Sequence, residues 1–203
     1  MRERNLVVVS AGLGRPSSTR LLADRLSAAA VGAAAGLGVR LNVRVVELRD
    51  LAHDLMNHLL TGFPPAELGA ALDAVRSADA LIAVTPVFNA SYSGLFKSFF
   101  DVLDGDDLAD KPVLIAATGG TERHSLALEH AMRPMFAYLR AVTVPTSVFA
   151  ATQDWGGEES QVRLRGRIDR AAGELAREID RREPATVADP FALTTSFEDL
   201  LAG

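Results

Sequence analysis

Leu6-Val7-Val8-Val9-Ser10-Ala11-Gly12-Leu13-Gly14-Arg15-Pro16-Ser17-Ser18-Thr19 is the stretch on which the reading of this chain turns. Its first four residues are apolar, rich in β-branched side chains and without alternation. Such a run is a strand buried on both faces, the habit of a parallel sheet. The segment Ser10 to Thr19 then brings two glycines, a proline and four hydroxyl side chains. A helix is expected from about Thr19 to Ala35, with Leu22, Leu26, Ala29 and Ala33 on one side and Gly36 and Gly38 to stop it. Strand, hydroxyl-bearing loop and helix in that order are the opening of a βαβ unit.

The same alternation continues outward. Val39–Leu48 reads as a second strand and Arg49–Pro65 as an irregular segment closed by Pro64-Pro65. A helix over Ala66–Ser77 leads to a third strand, Asp79–Thr85. The loop Pro86–Tyr92 leads to a helix over Ser93–Leu103. That helix carries Leu95, Phe96, Phe99, Phe100, Val102 and Leu103, more apolar surface than one buried face needs, and is expected at a subunit interface. A fourth strand, Val113–Ala117, is followed by Thr118–Thr121 and a helix over His124–Arg140. Thr143–Phe149 is the fifth strand. The last helix, Glu158–Arg182, shows Leu164, Ile168, Ala171, Leu175 and Ile179 at helical spacing. Five strands alternating with helices define an α/β domain with a parallel sheet and right-handed crossovers over residues 1–183. Residues 184–203 lose the pattern and are expected as a tail lying on the chain's own surface or on a neighbouring subunit.

Composition narrows the function. A chain of 203 residues is long enough to bury a core without staples, and it contains no cysteine, which excludes disulfides, thiol nucleophiles and Cys-ligated metals. A net charge of −5 argues against a general grip on nucleic acid. There is no apolar run long enough to span a membrane and no signal-peptide core behind Met1-Arg2-Glu3-Arg4, so a cytoplasmic protein is expected. His53 and His58 stand five apart, and His124 and His130 six apart; neither pair shares a helical face, so no metal site is expected.

In an open parallel sheet, ligands bind beyond the carboxyl ends of the strands. The first such loop offers Ser10, Ser17, Ser18 and Thr19 as hydroxyls and Arg15 as a fork of N–H groups, all at the start of a helix. Free backbone N–H groups and the positive end of the helix dipole converge there. One serine would satisfy an ordinary helix cap; four hydroxyls and an arginine exceed it and describe a phosphate pocket. Gly12-Leu-Gly14-Arg-Pro-Ser17 is a poor dinucleotide fingerprint, because Ser17 replaces the third glycine and Pro16 removes a donor. Hydroxyl-rich binding suits a phosphomonoester, with its three free oxygens. In the second loop, Pro86, Val87 and Phe88 can lie against a flat ring and Asn89 can bond its edge; a strand-to-helix connection with a buried Phe is the equal alternative. In the third, Thr118, Gly119, Gly120 and Thr121 let backbone N–H groups approach a ligand, or form a plain turn.

Taken together, Ser10-x-Gly-x-x-Arg15-Pro-Ser17, Pro86-x-Phe-Asn89 running into Ser93-Gly94-x-x-Lys97, and Thr118-Gly-Gly resemble the NAD(P)H-dependent FMN reductase family over residues 5–180. The nearest likeness is to the actinobacterial type paired with two-component flavin monooxygenases. The resemblance implies a flavodoxin-like three-layer sandwich with a five-stranded parallel sheet in the order 2-1-3-4-5, and FMN at the switch between strands one and three. It implies that Ser10, Arg15, Ser17, Ser18 and Thr19 hold the ribityl phosphate. Pro86, Val87, Phe88 and Asn89 would line the isoalloxazine, and Thr118 to Thr121 would reach its pyrimidine side. It further implies NADH or NADPH as reductant, no catalytic side chain, a homodimer or homotetramer, and a flavin-dependent monooxygenase partner. The family often has tyrosine where this chain has Phe88. Two other readings keep the scaffold: a quinone, azo or metal-ion reductase with fixed FMN, and a flavodoxin-type electron carrier. A third is a nucleotide-binding module without redox activity.

Overall fold

The computed structural model describes residues 1–185; the expected tail at 184–203 therefore lies, but for Pro184 and Ala185, outside the described residues. Strand β1 (Arg2–Ser10) holds the quoted apolar run, and Leu6 to Val9 are buried on both faces. Helix α1 (Ser18–Gly36) starts where the Ser17 hydroxyl accepts the Arg20 N–H at 3.1 Å, and buries Leu22, Ala23, Leu26, Ala30 and Ala34. Beyond it come β2 (Val39–Glu47), α2 (Ala52–Thr61), α3 (Ala66–Ser77), β3 (Ala80–Phe88), β4 (Ser91–Tyr92) and α4 (Gly94–Asp101). The second half contains β5 (Pro112–Gly119), α5 (Arg133–Tyr138), β6 (Val142–Thr143), β7 (Val148–Ala151) and α6 (Glu158–Asp180).

The sheet runs β2-β1-β3-β5-β6, the expected order of parallel positions. Among the described residues it has seven strands where five were expected, for two local reasons. The fifth position is split around Pro145: β6 pairs with the start of β5 and β7 with its end. β4 is the return arm of a hairpin on β3. Alternation along the strands sorts the core into two layers. Leu6, Val8, Ile82, Val84 and Leu114 face α1 and α6, whereas Val7, Val9, Leu81, Ala83 and Ile115 face the layer that contains α3 and α4. Both faces of the sheet are covered, which is why its strands read as unbroken apolar runs. Among the described residues no helix is long and apolar enough to cross a membrane.

Three further expectations are corrected. The segment 49–65, read as irregular, contains α2; Ala52, Leu55, Met56, Leu59 and Leu60 stand at helical spacing, yet only Leu55 is buried while Met56, Leu59 and Leu60 are exposed. The helix expected over 124–140 is broken into a 3-10 turn at Glu122–His124, a π turn at Leu128–Met132 and α5. Pro134 has no N–H to give the carbonyl of His130, and the turn before it opens. The excess apolar surface of α4 is used inside the chain. Phe96, Phe99 and Phe100 are buried, and Phe100 meets Phe136 edge-on at 5.0 Å between ring centres.

The Pro86–Tyr92 loop is itself a hairpin. Val87 pairs with Tyr92 and Phe88 with Ser91, leaving Asn89 and Ala90 as a two-residue turn with φ of +48° and +70°. Positive φ at both central residues is the geometry that matches strand twist, and Asn-Gly is its preferred sequence. Alanine at the second position carries steric strain that glycine does not. Ala90→Gly is expected to stabilise the protein by about 0.5–1 kcal/mol, raising Tm by about 1–4 °C in a thermal melt. A lower Tm would contradict this turn geometry.

Candidate functional site

Because β1, β3 and β5 are parallel neighbours, their three following loops meet at one edge of the sheet. Ser10 closes β1 on the face of Leu6 and Val8, in register with Glu47 on β2 and Val84 on β3. It is fully buried, and its Oγ has no hydrogen-bond partner among the described residues. Buried hydroxyls are nearly always paired, so an unpaired one at the edge where ligands bind marks a place for an outside partner. Thr118, near the end of β5, lies on the same face as Leu114 and Ala116. Its Oγ1 lies 2.8 Å from Thr19 Oγ1 in a buried contact.

The loop between Ser10 and α1 is tightly folded. A Cβ on Gly12 would fall 2.1 Å from Ser17 Oγ and 3.0 Å from Thr19 Cβ, and one on Gly14 2.9 Å from the Pro16 carbonyl oxygen. Glycine is required at both places by close approach, without any unusual φ. The close approach brings Ser17 and Thr19 back against the end of β1. At the start of α1 the N–H groups of Ser18 and Thr19 have no carbonyl one turn behind them within the helix, and they point with the positive end of its dipole. The Ser17 oxygen accepts the Arg20 N–H, yet its own proton remains free to donate. Ser18 is exposed at the mouth. This donor set, with the orphaned Ser10 hydroxyl behind it, suits an anion with several free oxygens, such as a phosphomonoester.

Three arginines surround the loop, two of which the sequence reading passed over. Arg20 bonds Asp24 at 2.8 Å and Glu47, and these contacts, Asp24 first, hold its guanidinium above its ordinary pKa. Arg49, from the turn after β2, donates to the carbonyl oxygens of Gly14 at 2.8 Å and Leu13 at 3.4 Å, and so props the loop from outside. Arg15 is held by neither of these means; its Nη2 lies 3.2 Å from Asp50 Oδ1 at an exposed position. The loop borders a cavity of about 270 Å³ lined by Gly14, Arg15, Ser17, Arg20, Glu47 and Arg49 among others. Nothing in the strand and helix periodicities flags Arg20 or Arg49; Arg20 pairs with Glu47 across 27 residues and Arg49 with Gly14 across 35, so only the tertiary structure brings them to the loop.

The other two loops are placed less uniformly than expected. Pro86 and Val87 are half-buried at the end of β3, while Phe88 and Asn89 stand out on the hairpin, Phe88 being 47% exposed. The alternative of a connection with a buried Phe is therefore wrong. Thr85 ties the hairpin to α4 by accepting the Ser93 N–H at 3.0 Å, and Ser93 in turn caps α4 through Phe96 N at 3.2 Å. Thr118 and Gly119 belong to β5 and not to a loop. Thr118 directs its hydroxyl at Thr19, so it links the first and third segments instead of extending outward. A Cβ on Gly119 would come within 2.9 Å of Phe149 Cζ, so this glycine answers to a core ring. Gly120 and Thr121 are exposed beyond the strand end.

The sequence pattern of the NADPH-dependent FMN reductase family matches residues 4–156. An FMN reductase (NADPH) of Pseudomonas aeruginosa is 42% identical over 172 residues, covering 82% of this chain and 90% of that protein. The NADH-dependent FMN reductase SfnF of Pseudomonas fluorescens is 40% identical over 176 residues, covering 84% of this chain and 91% of its own. Among solved structures, an oxidoreductase from Corynebacterium diphtheriae is 49% identical and superposes with a TM-score of 0.87 over 90% of this chain and 100% of that one. The chain belongs to the NADPH-dependent FMN reductase family.

Two substitutions test this geometry. Gly12→Ala drives a methyl into Ser17 Oγ; a stability loss of about 1–3 kcal/mol in denaturant melts is expected, together with weaker FMN binding in a fluorescence titration. Wild-type values for both would show that the loop is not closed as described. Gly119→Val overpacks Phe149, and a comparable loss of stability is expected even without flavin. An unchanged melt would remove that contact from the account.

Proposed function

We propose that this protein reduces FMN with NADH or NADPH, and that Ser10, Arg15, Ser17, Ser18 and Thr19 hold the flavin's phosphate. The observation that carries the reading is the unpaired, fully buried Ser10 hydroxyl set beside the amino end of α1. A phosphomonoester brings oxygens that accept from Ser10, from Ser17 and from the N–H groups of Ser18 and Thr19, and it restores the missing partner. Arg15, the least committed of the three arginines, supplies the balancing charge.

In this reading Pro86, Val87, Phe88 and Asn89 line the isoalloxazine. A rigid two-residue hairpin is a suitable mount, because the β3–β4 pairing fixes where Phe88 and Asn89 stand. The half-exposed Phe88 ring leaves apolar surface at the edge for a flat ligand. Gly120 and Thr121 continue from β5 on the far side of β3 and bring backbone N–H groups towards the pyrimidine end. Thr118 serves by holding Thr19 in place. Bound FMN supplies the redox chemistry by accepting a hydride from the nicotinamide. The protein's own part is to bind, to orient the ring and to keep room for a second one, so no side chain is assigned as acid or base. Delivery of reduced flavin to a flavin-dependent monooxygenase, action as a homodimer or homotetramer, and a cytoplasmic location complete the proposal. They rest on the likeness to the family's two-component systems.

Purified protein is expected to oxidise NADH or NADPH only when FMN is present or bound. Arg15→Ala is expected to weaken FMN binding by about 1.5–3 kcal/mol, roughly 10- to 150-fold, through loss of a charge-assisted contact. Titration of the variant that returns the wild-type affinity would discredit the assignment of Arg15 to the phosphate.

A further inference from the structure

The arginine that the phosphate reading needs is already engaged by a carboxylate of this chain. Arg15 Nη2 lies 3.2 Å from Asp50 Oδ1, with 76% of the Arg15 side chain and 57% of the Asp50 side chain exposed. The Asp50 backbone is tied down, and its carboxylate has a second cationic neighbour. The backbone N–H of Asp50 donates to the Glu47 carbonyl at 3.1 Å, and the same Oδ1 lies 3.4 Å from Arg49 Nε. Arg49 is fastened to the phosphate loop through the Gly14 and Leu13 carbonyls. The turn after β2 thus presents one carboxylate oxygen to the one arginine around the loop whose guanidinium has no other hydrogen bond or ion pair among the described residues. Arg20, by contrast, is engaged by both Asp24 and Glu47.

We propose that Asp50 competes with the flavin phosphate for Arg15, and that this competition sets how tightly FMN is held and how fast it leaves. The inference rests on the reading that Arg15 binds that phosphate. A carboxylate oxygen accepts from a guanidinium as a phosphate oxygen does, and Asp50 occupies the Nη2 edge of Arg15, so a phosphate that takes that edge must displace it. Binding of FMN through that Nη2 edge breaks the Arg15–Asp50 pair, and its release re-forms it. Exposed ion pairs are weak, so the competition lowers affinity by about two- to fivefold without abolishing it. Salt screens such a pair, so the effect is largest at low ionic strength. A reductase that hands on its flavin is served by an affinity held down in this way. Asp50 is a positioning residue in this scheme and touches no reacting atom.

A double-mutant cycle separates this from simple repulsion between Asp50 and the phosphate. FMN and riboflavin affinities are measured by flavin fluorescence at low and high salt for the wild type, Asp50→Asn, Arg15→Ala and the double variant, with FMN dissociation rates by stopped flow. Asp50→Asn is expected to tighten FMN by about two- to fivefold at low salt, to slow its dissociation, and to leave riboflavin unchanged. In the Arg15→Ala background the gain should vanish. A gain of equal size in that background overturns the proposal in favour of plain repulsion, and no gain in either background overturns it outright. In both cases a weakened Arg15→Ala variant would leave the phosphate reading standing. An Arg15→Ala variant with wild-type FMN affinity would bring down that reading and the inference together. Asp50→Ser, another uncharged replacement, repeats the cycle should the asparagine variant fold poorly.

Discussion

The contact between Gly12 and Ser17 governs this molecule's site. Within nine residues the chain leaves the end of β1, turns back and enters α1, and a methyl group at Gly12 would have to displace the Ser17 hydroxyl and press on Thr19. That closeness seats the helix start against the strand end. It brings the Ser17 and Thr19 hydroxyls and the first free N–H groups of α1 to the edge where Ser10 is buried without a partner. A longer or looser turn would keep the same residues and lose their convergence. The energetic consequence is local and electrostatic: the site is prepared for negative charge before any ligand arrives, by a helix end and by hydroxyls held in place.

The rest of the fold keeps this arrangement in position. β1 lies between β2 and β3, so the turn after β2 reaches the loop from one side and β5 approaches from the other. Arg49 fastens the loop's carbonyls from the first side, and Thr118 meets Thr19 at 2.8 Å from the second. The latter joins residues 99 positions apart and is buried, so a shift of β5 cannot occur without disturbing the start of α1. Polar contacts of this kind fix position more than they add stability, since a net hydrogen bond is worth about 0.5–1.5 kcal/mol. The stability itself comes from the two apolar layers, where strands covered on both faces meet α1 and α6 on one side and the Phe96–Phe100–Phe136 cluster on the other.

Much of this was legible in the residues. The unbroken run Leu6–Val9 announced a strand covered on both sides, and the hydroxyls around Gly12 and Gly14 do gather where β1 ends and α1 begins. The helix over Ala66–Ser77 matched its expected bounds. What escaped did so for identifiable reasons. α2 carries its apolar residues at helical spacing, Ala52, Leu55, Met56, Leu59 and Leu60, and was legible; it was passed over because the segment is short, closed by Pro64-Pro65, and its stripe is mostly turned to solvent. The Pro86–Tyr92 hairpin turns through Asn-Ala, a sequence that carries little turn signal, because alanine seldom takes positive φ. Thr118 and Gly119 look like ligand contacts in the string Thr-Gly-Gly-Thr. Only the tertiary structure reveals that Thr19 and Phe149 are what they meet. Asp50 and Arg49 carry no motif at all, and their meaning comes from lying beside a loop thirty-five residues earlier.

If hydroxyls and helix N–H groups at the end of β1 hold a phosphomonoester, the phosphate must dominate flavin recognition. Isothermal titration of the wild-type protein with FMN and, separately, with riboflavin measures this directly. FMN should bind at least about 100-fold more tightly, the worth of two or three charge-assisted contacts, with a margin that shrinks as salt is added. Equal affinities for the two flavins would mean that the cradle beside Ser10 serves something else.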